Sequence, residues 1–258
     1  MAREDTLLRA VLDRPDDDPP RLAFADYMEE IGDPRAEFIR VEIAFSRVRA
    51  DREHPEFVPL AETAHTLIDE HGAALAGPIA QLVDKHSFDR GFVELVELTA
   101  PRFLELAPRL FSLAPVRHLN LREARPVARD LFASPYLQSI RSLSLDNCGL
   151  TDREMQELAR SPNLTELRWL SVADNRIGMP GAEALAAASS AFPKLRFARF
   201  RGNLVEPNEK FAHDQGMIID QWLPESGSEL ESRYGHLAWL HAGGPMTTSD
   251  ITPSRFAR

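Results

Sequence analysis

Val116-Arg117-His118-Leu119-Asn120-Leu121, Ile140-Arg141-Ser142-Leu143-Ser144-Leu145 and Leu167-Arg168-Trp169-Leu170-Ser171-Val172 are three copies of one apolar pattern. Val93-x-x-Val96-x-Leu98 precedes them and Leu195-x-x-Ala198-x-Phe200 follows, with starts 23, 24, 27 and 28 residues apart. In the later copies the pattern runs on, through Cys148-x-Leu150, Asn175-x-Ile177 and Asn203-x-Val205. Alternation of apolar and polar positions makes each run a short strand with one buried side. One such strand cannot bury that side alone, so successive units have to stack, each joined to the next by a crossover and hence parallel to it. The expected strands centre on Val93–Leu98, Val116–Leu121, Ile140–Leu145, Leu167–Val172 and Leu195–Phe200.

The spacing and the Asn or Cys positions resemble leucine-rich repeats. Units of 27–28 residues carrying Asn-x-Ile, then Gly and Leu-Ala, are similar to the ribonuclease-inhibitor subclass, in which full helices line the convex side. Thr151-Asp152-Arg153-Glu154 is a capping box ahead of Met155, Leu158 and Ala159, and Pro180 precedes Ala182, Leu185, Ala186 and Ala188. The first two units are shorter, and with Ala124 where Asn is wanted, plus Pro126 and Pro135, they read as irregular on that side. The expected fold is α/β: a right-handed leucine-rich repeat solenoid with a parallel sheet over 91–205, preceded by a small helical domain.

That domain occupies residues 1–50. Leu7, Leu8, Val11 and Leu12 share a helical face, and Arg14 to Pro20 interrupts it. A second helix, Arg21 to Ile31, closes at Gly32, suited to the left-handed conformation at a helix end. Asp33 caps a third, with Pro34 at its first position and Phe38, Val41, Phe45 and Val48 on one face. Leu12-Asp13-x-Pro15-Asp16-Asp17-Asp18-x-Pro20-Arg21-Leu22-Ala23-x-Ala25-Asp26-Tyr27-x-Glu29-Glu30-x-Gly32-Asp33-Pro34-Arg35-Ala36-Glu37-Phe38-Ile39-Arg40 resembles the bacterial repeat-companion domain. The likeness covers about residues 4–49 and continues weakly through Phe88-Asp89-Arg90-Gly91-Phe92-Val93-Glu94. It implies an architecture, a short module in front of repeats, and carries no functional residue over. Residues 51–90 read as a helical N-terminal cap of the solenoid, 206–242 as its C-terminal cap, and 243–258 as a disordered tail.

Charge is uneven. Of a net charge of −10, residues 1–90 carry 11 Lys and Arg against 20 Asp and Glu, and residues 91–258 carry 19 against 20. That balance argues against a nucleic-acid partner, which a basic stripe would announce. No apolar run reaches the ~18–20 residues of a membrane span, and Met1 to Asp5 lacks the start of a signal peptide. The expectation is a cytoplasmic chain, with no membrane partner. A single cysteine, Cys148, leaves no internal disulfide, and its place in the pattern makes it a core thiol rather than a nucleophile.

No phosphate-binding glycine loop, hydrolase elbow or paired-histidine zinc motif occurs. The carboxylates between Asp13 and Pro20 lack the Gly and Glu of a calcium loop. Asp26 and Glu30, one helical turn apart, are expected to bond Arg35 or Arg40 rather than to act as a catalytic pair. No cofactor, metal or catalytic residue is expected. A likeness of scaffold to the GTPase-activating proteins of the Ran pathway carries no function with it.

The third, fifth and seventh places of each unit point away from the core. They are Leu95, Glu97 and Thr99; His118, Asn120 and Arg122; Ser142, Ser144 and Asp146; Trp169, Ser171 and Ala173; Phe197, Arg199 and Arg201. Trp169, Phe197, Arg199, Arg201, Arg122 and His118 are the candidate binding residues, because aromatic and Arg side chains dominate protein-binding hot spots. A competing reading has the C-terminal segment covering Trp169 and Phe197. The expected function is a non-enzymatic scaffold binding a partner protein on this concave face. The alternative is a regulatory or enzymatic effector module in residues 1–50 that the repeats merely target.

Overall fold

The computed structural model describes residues 3–205, 207–212, 217–222 and 224–240. It is a mixed α/β fold around an open six-stranded sheet, mostly parallel, ordered β1-β2-β3-β4-β5-β6. The strands are β1 Lys85–Asp89, β2 Phe92–Thr99, β3 His118–Arg122, β4 Ser142–Ser144, β5 Trp169–Ser171 and β6 Phe197–Arg199. From β2 onward each falls on one of the five apolar runs. The chain divides into two compact units, one built mainly of Met1–Glu97 and Leu106–His118, the other of Leu98–Glu105 and the chain from Leu119 on. The division falls inside β2 and β3.

In the first unit, helices α1 Arg3–Asp13, α2 Asp18–Glu30 and α3 Arg35–Val48 share a core. Val11, Phe24, Ala25, Met28, Ala36, Ile39, Ile43 and Phe92 fill it, with Leu7, Leu8, Leu22 and Tyr27 at its margin. α2 starts three residues earlier than the sequence suggests, because Pro19 and Pro20 fall in its first turn, where no intrahelical N–H is required. Gly32, at φ +71°, closes the helix, and its N–H reaches Glu29 O at 3.0 Å while Asp33 N–H reaches Met28 O at 2.9 Å. The Asp33 carboxylate accepts Arg35 N–H at 2.9 Å, so it caps α3 as expected.

Helix α4, Phe57–Ala76, follows, and its expected helical continuation ends early. Lys85–Asp89 is a strand, β1, paired antiparallel with β2. Arg90 at φ +47° and Gly91 at φ +83° make the two-residue turn between them. Positive φ at both central positions matches the right-handed twist of the flanking strands. The hairpin was hidden by its short apolar content and by an arginine in a conformation that usually selects glycine.

In the second unit β4 pairs parallel with β5 and β5 with β6, with Ser142↔Trp169↔Phe197 and Ser144↔Ser171↔Arg199 in register. Between β3 and β4 lies broken helix, including only the six residues of α6 Ala128–Ala133, as the prolines suggest. The segment after β2 differs from expectation. Helix α5, Ala100–Leu113, is one unbroken element despite Pro108 within it, and Phe103, Ala107 and Leu110 on it are buried. Helices α7 Asp152–Ala159 and α8 Met179–Ala187 follow β4 and β5, and the Thr151–Glu154 capping box is formed.

Side-chain amides tie these segments together. Asn175 donates to Leu145 O, Val172 O and Ala173 O at 2.8–3.0 Å and accepts from Cys148 N and Leu150 N, each at 3.0 Å. Asn203 does the same one segment on, donating to Val172 O and Phe200 O and accepting from Ile177 N at 3.0 Å. The Cys148 thiol donates to Leu121 O at 3.3 Å, and burial raises its pKa. It is a core thiol. Beyond β6, β7 Pro207–Ala212 and β8 Met217–Trp222 form an antiparallel hairpin, and α9 Pro224–Tyr234 follows. Leu230, Leu237 and Trp239 are buried, and Trp239 lies 6.2 Å from the Phe200 ring. The tail 243–258 lies outside the described residues.

Candidate functional site

Strand register builds the aromatic–arginine surface. Trp169 opens β5 and Phe197 opens β6, directly paired, and their rings stack with centroids 6.1 Å apart and planes 9° from parallel. Trp169 is half-buried, whereas Phe197 is 8% exposed, so the indole offers the accessible edge of the pair. Arg199 and Arg201 are half-buried and Arg122 is exposed. His118, in the first unit, is buried. On the neighbouring places, Ser171 is fully buried and donates its hydroxyl to the Asp146 carboxylate, which also accepts Ala173 N–H at 2.8 Å. Asp146 is thus held in place by its own sheet.

The acidic helices are differently occupied. Arg40 bonds both Asp26 and Glu29 at 2.8 Å, as expected for Asp26, and Glu30 is clasped by Arg3 of α1 instead of by α3. Asp18 pairs with Arg47 at 2.9 Å. These ion pairs join α1, α2 and α3 to one another.

The sequence did not disclose a buried ionic knot in the first unit. Arg21, fully buried, donates to Pro15 O at 2.7 Å, to Asp89 O and Arg90 O at 3.2 and 3.1 Å, and to Glu94 Oε1 at 2.5 Å. Arg49 holds Asp89 at 2.6 Å, and Arg90 returns to Pro15 O and Asp16 O at 2.7 Å. Burial pushes the Glu94 carboxyl up to about 7 against the pull of Arg21, and lowers the Arg21 guanidinium. Burial, reinforced by Asp89, pushes Glu42 up to about 8. The stretches that resemble the repeat-companion domain include Arg21 and Asp89 to Glu94, but partners some seventy residues apart leave no local pattern that pairs them.

Among the described residues no group of three or more His, Cys, Asp and Glu gathers as a metal site. A shallow cleft of about 390 Å³, lined by Arg125, Pro126, Arg129, Arg153, Glu154 and Glu157 among others, holds no Ser, Cys or His. No described helix is long and apolar enough to cross a membrane. No protein-family model matches the chain, and no curated protein does.

Proposed function

We propose that this chain is a non-enzymatic, cytoplasmic protein-binding scaffold whose partner docks on the face of β4–β6 around Trp169. In this reading residues 91–205 form a right-handed leucine-rich repeat solenoid of the ribonuclease-inhibitor-like kind, and residues 1–50 are a packing module of the repeat-companion kind. Three features support the solenoid: the parallel in-register strands, the amide ladder of Asn175 and Asn203, and helices α7 and α8 after successive strands. The packing role is supported by the ion pairs that occupy Asp26, Glu29 and Glu30.

The observation that carries the binding reading is the Trp169–Phe197 stack with Arg199 one step along the same strand. A rigid aromatic platform beside guanidinium groups is the composition of an interface hot spot, and it requires no conformational ordering on binding. The test is partner capture at equal folded concentration. Trp169→Ala and Arg199→Ala should each weaken capture by ~2 kcal/mol or more, with the melting temperature unchanged. If Trp169→Ala melts the protein while capture per folded molecule holds, the face is structural and the reading fails.

A further inference from the structure

Resting on that reading, we propose that the partner presents an extended acidic segment, and that Arg168 and Arg196 receive its carboxylates. Arg141, Arg168 and Arg196 each stand immediately before the first residue of β4, β5 and β6. Arg141 O accepts from Arg168 N at 2.8 Å and Trp169 N at 3.0 Å, and Arg168 O accepts from Arg196 N at 2.8 Å and Phe197 N at 3.2 Å. Successive arginines are therefore held side by side at the interstrand spacing of about 4.8 Å, on the rim where the sheet begins.

Like charges on neighbouring strands repel, and for Arg168 and Arg196 no carboxylate offsets it among the described residues. Arg168 is half-buried and Arg196 exposed, and neither makes an ion pair or a side-chain hydrogen bond among the described residues. The acid two residues before Arg168, Glu166, is taken by Lys194 at 2.6 and 2.7 Å. Arg3, Arg35, Arg40 and Arg233, by contrast, sit on carboxylates. Two uncompensated arginines on adjacent backbone positions, each followed in sequence by one ring of the aromatic stack, fit paired carboxylates next to an apolar residue. Guanidinium forks match carboxylate geometry. A polyphosphate backbone fits less well, since the whole chain carries −10 and the rim supplies only a short row of cations.

The probe is a short fluorescein-labelled peptide with two Asp and two Glu around one Phe, titrated by anisotropy with the full chain. Controls are the charge-reversed peptide and a single-stranded oligonucleotide of equal charge. The acidic peptide should bind, weaken as salt rises, and lose about tenfold or more with Arg168→Gln/Arg196→Gln, while Arg153→Gln binds as the parent does. The double variant should melt no lower than the parent, because repulsion is removed. Equal peptide binding by the double variant overturns the proposal, as does absence of peptide binding to the parent. Tighter, arginine-dependent binding of the oligonucleotide overturns it too. Loss with Trp169→Ala but none with the arginine variant sinks the acidic segment and keeps the aromatic face. Loss with the arginine variant alone keeps the rim and removes the aromatic face.

Discussion

Asn175 shows how much one side chain holds. Its amide makes five hydrogen bonds to backbone groups of the β4 and β5 segments, and it is 6% exposed. Asn175→Ala strands buried N–H and C=O groups that water cannot reach, which costs roughly 1–3 kcal/mol per group when not relieved. Urea unfolding should therefore show a loss of about 3 kcal/mol or more. Cys148→Ser keeps a donor toward Leu121 O and should lose under ~1.5 kcal/mol. Equal losses would mean that the amide ladder holds little. Asn175 and Cys148 were legible because an apolar pattern of fixed register assigned them a place. Arg168 and Arg196 are visible in the same register, as Arg in the second place of successive runs, but alternation along a strand does not say where the sheet begins. Only the backbone bonds place this second position on the rim.

Among the elements, the β1–β2 hairpin was the least legible and is the most constrained. A Cβ at Gly91 would lie 2.5 Å from Ile39 Cα, at a φ that L residues rarely adopt, so the turn presses on α3 with no room for a side chain. Arg21 then binds the hairpin to the α1–α2 loop through Asp89 O, Arg90 O and Pro15 O. The helices themselves were readable, since Gly32, Asp33 and the capping box at Thr151 act within a few residues. The hairpin was not, because its stabilising partners come from far along the chain. Arg21→Ala should cost about 3–5 kcal/mol, leaving the buried Glu94 only its longer pairing with Arg90 at 3.6 Å. Adding Glu94→Gln should restore a large part of that in the same urea titration. No restoration would show that Arg21 acts through its carbonyl bonds and not through the ion pair.

At the scale of the whole molecule, the excess of acid in residues 1–90 turns into a pH dependence through burial. Glu42 is 4% exposed, and desolvation with the nearby Asp89 raises its carboxyl from 4.5 to about 8, against Arg49 and the Arg90 N–H. Glu94 is raised to about 7 in the same way. The folded chain therefore binds protons at these sites that the unfolded chain has released. Stability contributed by the neutral carboxyls is complete below about pH 4.5, the unfolded value. It declines as pH rises through 7 and 8, where the folded groups ionise in an apolar setting. The paired surface carboxylates act in the opposite sense at lower pH: Asp33, held down by Arg35, contributes stability that is lost on acidification. The urea midpoint should accordingly fall between pH 6 and pH 9 in the parent, and Glu42→Gln should flatten that fall while leaving the remainder due to Glu94. A parent curve that rises over this window, or a Glu42→Gln curve that drops as steeply as the parent's, would mean that the buried carboxyls are ionised in the folded state.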